Sequence, residues 1–275
     1  MTLPFTKMHG LGNDFVVVDD RAGDLAGFAS DDYRLLADRH LGIGCDQVLV
    51  IEEKEGAPAY RVYNADGSEV GQCGNGARCV ARWLHDRGLI AAQATLGSAA
   101  GPIAVAVRDD GEVSVDMGQP RFAPADIPLL SEQPGPAHTI SLADGSLQVY
   151  AVSMGNPHAV LLVDDVAGAP VDELGLALQS RPQFPERVNV GFAQRLGDDA
   201  IALRVYERGV GETQACGTGA CAAVAALKAA GKLGPGEVAV HLPGGELRIA
   251  WPGNPAQVKM TGPAAYVFQG TYEPR

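Results

Sequence analysis

QCGNGARC, residues 72–79, sets a cysteine directly before Gly-Asn-Gly, and QACGTGAC, residues 214–221, sets another directly before Gly-Thr-Gly. Cys73 and Cys216 stand 143 residues apart. The same offset carries RVY at 61–63 onto RVY at 204–206, Gly12-Asn13 onto Gly155-Asn156, and Gly88 onto Gly231. It also carries Val115 and Met117 onto Val258 and Met260, and Pro120 onto Pro263. One matched Gly or Val means little, but a single ungapped offset for all of them marks an internal repeat. The chain therefore reads as two homologous halves, about 1–120 and 144–263, joined by a Pro-rich stretch around 120–136. As domains these give 1–120 and 121–263, with the tail 264–275 expected to pack back on the first.

Each half repeats one grammar. A short apolar run, FVVVDD at 15–20 or AVLLVDD at 159–165, reads as a buried strand. An extended RVY segment leads to the cysteine, and a helical pattern follows it. In the first half the helix is expected over 76–87 and is closed by Gly88; in the second it runs through AALKAA to Gly231. Alternation then predicts strands at Ile103, Val105 and Val107, at Val113, Val115 and Met117, and at Leu247, Ile249 and Trp251. The expected fold class is α+β, strand-rich, with one principal helix after each cysteine.

Both cysteines thus fall at a strand-to-helix junction. Backbone N–H groups at a helix start lack internal partners and carry partial positive charge. Such a site holds a carboxylate, with glycines letting it approach the backbone, and it is expected to lower a cysteine pKa. One device suggests a nucleophile. Two devices from duplicated halves suggest inversion of a carbon centre, with a thiolate removing a proton from one face and a thiol delivering one to the other. The acidity of an amino-acid α-carbon is so low that preorganised donors must stabilise the carbanion-like charge. Cys45, Cys79 and Cys221 lack this duplicated setting and read as small buried apolar residues.

Composition removes other classes. A formal charge of −12 argues against a general nucleic-acid binder, which needs a basic face. No apolar run has membrane-spanning length, and MTLPFTKMHG lacks the form of a secretion signal, so a cytoplasmic protein without membrane contact is expected. Five cysteines, an odd count, argue against a disulfide framework, and their spacings do not match a zinc site. None of the lysines (Lys7, Lys54, Lys228, Lys232, Lys259) has an evident phosphate-binding context, as pyridoxal phosphate would require. Neither Cys-Gly-x-Gly element has the third glycine of a dinucleotide fingerprint. No metal and no cofactor are expected.

NADGSEVGQCGNGAR at 64–78 and YERGVGETQACGTGA at 206–220 resemble the two cysteine signatures of the diaminopimelate epimerase family. HGLGNDF at 9–15, GIGCDQ at 42–47, GNPH at 155–158 and RVNVG at 187–191 resemble further family segments, so the likeness covers nearly the whole chain. It implies a cofactor-independent enzyme acting on LL- and meso-2,6-diaminopimelate, on the path to lysine and cell wall. It also implies two similar domains, each a sheet curled around a central helix, with the active site in the cleft between them, and a homodimer. Cys73 and Cys216 would be the acid/base pair, and His158 and Glu207 would tune them. Substrate-binding positions would be Asn13, Gln47, Asn64, Gly74, Asn75, Asn156, Asn189, Glu207, Arg208, Gly217 and Thr218.

The residue chemistry agrees with the resemblance. Diaminopimelate carries two carboxylates and two amines, and its non-reacting centre must be read by donors and acceptors together. Asn and Gln supply both, Arg208 offers a fork for a carboxylate, and Glu207 can accept from an ammonium. A proline or hydroxyproline racemase of the same architecture would share the thiols, but the 64–78 segment and Glu207-Arg208 suit a longer, doubly charged substrate. An isomerase that has lost one thiol, a non-catalytic amino-acid binder and a redox sensor are the remaining alternatives. Two retained thiols argue against the first two; a sensor would need them to pair in its working cycle.

Overall fold

The computed structural model describes residues 2–71, 73–142 and 145–273. The chain divides into two compact units, Met1–Val115 with Thr261–Arg275, and Asp116–Met260. The C-terminal strand therefore belongs to the first unit. Pro274 and Arg275 of the tail expected there lie outside the described residues.

In the first unit the elements are β1 (Leu3–Gly10), β2 (Asn13–Asp19), α1 (Ser30–Ala37), β3 (Gln47–Lys54), β4 (Ala57–Asn64), β5 (Glu69–Val70), α2 (Gly74–His85), β6 (Gln93–Leu96), β7 (Ile103–Val107) and β8 (Val113–Asp116). The second holds β9 (Ala137–Leu142), β10 (Gly145–Ser153), β11 (Pro157–Leu162), α3 (Val171–Gln179), β12 (Asn189–Arg195), β13 (Ala200–Glu207), β14 (Gly211–Thr213), α4 (Gly217–Ala229), β15 (Glu237–Leu242) and β16 (Gly245–Ala250). Next come β17 (Lys259–Gly262), which neighbours β16, and β18 (Ala265–Tyr272), which pairs antiparallel with β1.

The main sheet of the first unit runs β18-β1-β2-β3-β4-β5, with β6-β7-β8 forming a further ladder. In the second unit the order is β17-β16-β15-β13-β12-β11-β10-β9, with β14 on β13. The centre of each sheet has the same layout: β2 and β3 pair in parallel, as do β11 and β12, and the next strand returns antiparallel. The apolar runs there are buried on both faces, as strands covered on both sides must be. Val16, Val18, Val48 and Val50 face Tyr33 and Leu36 of α1. Leu49 points the other way, onto α2, where a Cβ at Gly76 would stand 2.9 Å from its Cδ2. In the second unit Ala159, Leu161, Val190 and Phe192 face Val171 and Leu178 of α3.

The two helices that follow the cysteines fill the centres. GTGACAAVAALKA in α4 is buried from Gly219 to Leu227, and a helix apolar all round must be enclosed. It touches β10, β11 and β12 and also β16, which is four strands away from β11 in the sheet order. The sheet must therefore curl around the helix, and alanines let it do so closely. In the first unit α2 packs on β1, β2 and β3 and on β7.

Several boundaries differ from expectation. Helix α2 begins at Gly74 rather than Gly76, because the cysteine itself is the cap. Gly88 and Gly231 lie past the helix ends with φ of +67° and +66°, the left-handed stop that glycine adopts readily. Met117 and Trp251 fall just beyond their strands. The stretch 120–136 is more than a connector. It holds a short 3-10 turn at Pro124–Asp126, and Ile127 and Leu129 are buried in the core of the second unit. Helices α1 and α3 lie outside the one-helix-per-half expectation. Both pack one narrow stripe on a sheet, and α1 carries its signal in Asp32, whose carboxylate accepts from the Ala29 N–H at 2.8 Å.

Candidate active site

Each cysteine caps its helix. Cys73 and Cys216 have extended backbone, and their sulfurs accept from the N–H of Gly76 and Gly219, both at 3.4 Å. The helix turns tightly here because Gly76 and Gly219 carry no side chain: a Cβ on Gly219 would meet Cys216 Sγ and Val205 Cγ2, both at 3.1 Å. Gly74 and Gly217 are the first helical residues, and Asn75 and Thr218 the second. The same strand ends converge on each cap. These are the starts of β2 and β3 with the end of β4, and the starts of β11 and β12 with the end of β13.

In the first unit Asn13, which opens β2, turns its side-chain oxygen toward the cap. Asn75 Nδ2 donates to it at 3.2 Å, and Cys73 Sγ lies 4.0 Å away. Gln47 and Asn64 sit opposite each other on β3 and β4, and Gln47 Nε2 donates to Asn64 Oδ1 at 2.9 Å. Asn64 Nδ2 in turn donates to Ser68 Oγ at 3.1 Å.

In the second unit Asn156 donates to Thr218 Oγ1 at 3.4 Å, and that hydroxyl lies 3.6 Å from Cys216 Sγ. His158 Nε2 meets Asn156 Oδ1 at 2.9 Å. Asn189 is buried and doubly held: its Nδ2 donates to Pro157 O at 3.2 Å, and its oxygen accepts from the Arg208 N–H at 2.8 Å. Arg208 is exposed, with Nη1 donating to Glu186 O at 2.9 Å. Glu207 Oε1 accepts from the Thr213 hydroxyl at 2.6 Å.

All the expected site residues therefore fall into two clusters, one per unit. The 143-residue offset places Asn13 over Asn156, Asn75 over Thr218, and Asn64 over Glu207. It also places Phe15 over His158, so the second cluster is titratable where the first is neutral. At Gln47 the equivalence slips by one residue: Gln47 pairs with Phe15 as Asn189 pairs with His158.

The electrostatics correct one expectation. The helix start was expected to lower the pKa of both cysteines, yet Cys216 is raised well above its ordinary value, by burial first and by the nearby Glu207 second. The Gly219 N–H and the Thr218 hydroxyl oppose this without overcoming it. Burial, with Arg208 adding to it, pushes His158 down to about 3, so its imidazole is neutral at pH 7. Cys45 and Cys79 are buried and pushed up to about 12 by that burial, which suits packing rather than chemistry. Among the described residues no group of three or more His, Cys, Asp or Glu is placed to hold a metal.

Two residues beside these clusters were not singled out from the sequence. Thr213 reaches Glu207 only because β14 folds back on β13, a pairing no spacing rule reports. Asp46 lies in GIGCDQ beside Gln47, and its carboxylate accepts from Asn13 Nδ2 at 3.0 Å across a parallel strand pair.

Fold and site define a duplicated α+β fold seen in solved structures of known kind. A hydroxyproline epimerase from Agrobacterium vitis superposes with a TM-score of 0.69 at 17% identity, covering 98% of this chain and 92% of that one. A PhzF-family phenazine biosynthesis protein from Bacillus anthracis gives 0.71 at 18%, covering 99% of both chains. The chain belongs to the diaminopimelate epimerase family, whose model matches residues 5–123 and 150–267. It is 49% identical to the diaminopimelate epimerase of Nitrosospira multiformis, over 99% of both chains. It is 51% identical to that of Thioalkalivibrio sulfidiphilus, over 99% of this chain and 100% of the other.

Proposed function

We propose that this chain is a cofactor-independent epimerase that interconverts LL- and meso-2,6-diaminopimelate, serving lysine and peptidoglycan precursor synthesis. The observation that carries the reading is the repeated cap: in each unit a thiol sits at a helix N-terminus, 3.4 Å from a backbone N–H. Family membership supplies the substrate.

In the mechanism one thiolate removes the α-proton. The C–H bond breaks and its electron pair moves toward the α-carboxylate. Backbone N–H groups at Gly74-Asn75 and Gly217-Thr218 hold that carboxylate, as helix starts favour anions. The opposite thiol gives its proton to the other face of the carbon, and the two sulfurs exchange protonation states. This requires both thiols to reach one carbon from opposite sides. Burial and Glu207 favour the thiol at Cys216, and the two sulfurs exchange the roles of acid and base with the direction of reaction. His158 and Glu207 tune this balance, with Thr213 holding Glu207 in place. Asn13, Gln47, Asn64, Asn156, Asn189 and Arg208 bind the polar groups of the substrate.

The working form is a cytoplasmic homodimer. Reduced thiols require a reducing compartment. The outer strand β18 leaves Val267 and Phe268 about half exposed, an apolar edge of the kind that a second copy covers. Sedimentation velocity tests the dimer, and a monomer at working concentration removes it.

Proton NMR of meso-diaminopimelate with reduced protein in D2O, with proline in parallel, tests the activity. The α-proton signal of diaminopimelate should disappear while the LL isomer accumulates. Exchange on proline alone would move the chain to a different substrate, and exchange on neither would leave it a binder or sensor.

A further inference from the structure

The Asn13 carboxamide has an acceptor on one side and a donor on the other, so its orientation decides what Cys73 faces. Four charged residues form a network beside it, and one of them, Asp46, touches it. Lys7 Nζ donates to Asp14 Oδ2 at 2.6 Å and also to Gly44 O. Arg39 forks onto Asp14, with Nη1 at 3.0 Å and Nη2 at 2.7 Å, and its Nη2 also reaches Asp46 Oδ1 at 2.9 Å. Asp14 and Asp46 exchange N–H donors at 2.9 and 3.1 Å. This engages both oxygens of Asp46: Oδ1 takes Arg39, and Oδ2 takes the Asp14 N–H and Asn13 Nδ2.

A carboxylate only accepts hydrogen bonds. It must therefore face the amide nitrogen of Asn13, which sends the oxygen to the other side, toward Asn75 and Cys73. In the second unit the equivalent amide is set by another means, with His158 meeting the Asn156 oxygen. At the offset of 143 Asp14 corresponds to Pro157, so the charged clamp belongs to the first half.

We propose that Asp46, clamped by Arg39 and Asp14, is a positioning residue that holds the Asn13 amide oxygen toward the Cys73 thiol. The role in catalysis rests on the two-thiol reading above. An acceptor facing the sulfur favours the thiol over the thiolate. Substrate binding and the protonation state of Cys73 are thereby set by a residue that touches neither. Asp14 stays charged at working pH: burial pushes it up, but Arg39 and Lys7 more than reverse this. Tyr60 of β4 and Cys79 of α2 are among the titratable groups close to Cys73, both pushed up chiefly by burial.

The test compares Asp46→Asn, Asn13→Ala and the double variant. In each, the pH dependence of Cys73 alkylation by iodoacetamide is read by peptide mass mapping of the reduced protein. Asp46→Asn should move the Cys73 profile to lower pH by about half a unit or more, because the thiol loses its acceptor. It should lower kcat about 10-fold or more, as misplacement of a substrate-orienting group does. Neither change should recur when Asp46→Asn is added to Asn13→Ala. A charge acting only through space would shift Cys73 equally in both backgrounds, and that result overturns the proposal, as does an unshifted single variant. Should Asp46→Asn not fold, Arg39→Gln loosens the same carboxylate and carries the same test. Absence of α-proton exchange by the unmodified protein would sink the epimerase reading, while the alkylation comparison would still judge Asp46.

Discussion

Gly175 lies in the middle of α3, where glycine is ordinarily a poor choice. Replacing it with alanine at an open helical site would stabilise the helix by about 1 kcal/mol. Here the site is closed. A Cβ on Gly175 would stand 2.4 Å from Tyr206 Cγ and 2.7 Å from Tyr206 Cβ. These atoms are at the root of the ring, so no rotation of a side-chain tip relieves the clash; α3 or β13 must move. Overpacking of this kind costs about 1–3 kcal/mol. Against the helical gain, Gly175→Ala should destabilise the protein by up to about 2 kcal/mol. For a chain of this size that lowers Tm by up to roughly 8 °C. The residue after Tyr206 is Glu207, so kcat should fall as well. Thermal unfolding followed by circular dichroism checks the first effect. In a Tyr206→Ala background the penalty of Gly175→Ala should vanish or change sign. A Tm above that of the unmodified protein in the single variant would refute the packing argument.

Further outcomes concern the site. Cys73→Ala and Cys216→Ala should each abolish epimerisation with the far-ultraviolet dichroism unchanged, and full turnover by either would remove the two-base mechanism. Thr213→Val should lower kcat about 10-fold or more with little change in Tm, in keeping with the usual weight of a positioned acid or base. Thr213→Ser should restore it, since the hydroxyl at 2.6 Å from Glu207 is what matters. His158 is held neutral by burial and then by Arg208, so the unfolded chain binds the proton that the folded chain refuses. Its contribution is complete above the unfolded value of about 6.5 and declines as pH falls toward about 3. Tm measured across that window should fall less steeply in His158→Gln, and identical slopes would contradict the assignment. Asp14 is lowered despite its burial, by Arg39 and Lys7, so its stabilising effect is complete above about 3.9 and is lost as pH falls further. Asp14→Asn should remove that part of the acid transition in a pH titration of unfolding.

The thiol caps and the repeat were legible because they rest on local chemistry: glycine after cysteine, and one offset shared along the chain. The strand at 103–107 was legible from alternation, and RVY as an extended segment leading to each cysteine. Helices α1 and α3 escaped because their buried stripes are short, and α3 carries Gly175 for a reason visible only against Tyr206. A return of the tail to the first half was expected, but its pairing with β1 escaped because pairing between chain ends has no local signature. Within the site, residues in the cysteine motifs were found and their supports were not. Thr213 and Asp46 act across strand pairs, and register is a property of the folded sheet. The raised Cys216 was missed for a related reason. A helix start and a buried neighbour act in opposite senses, and the amount of burial is not written in a motif.

The place of β18 has a consequence for the order in which the chain is built. Residues 116–260 leave the ribosome as one uninterrupted piece and can close their own core. The first unit cannot: its main sheet lacks the outer strand until residues 265–272 are made. The fully buried Arg78 of α2 also waits, since its Nε donates to Pro263 O at 3.1 Å. The segment translated first is therefore finished last, and β1 presents a bare strand edge throughout synthesis of the second unit. A chaperone acting on the nascent chain has that edge to guard, and a message truncated near residue 260 leaves it open for good.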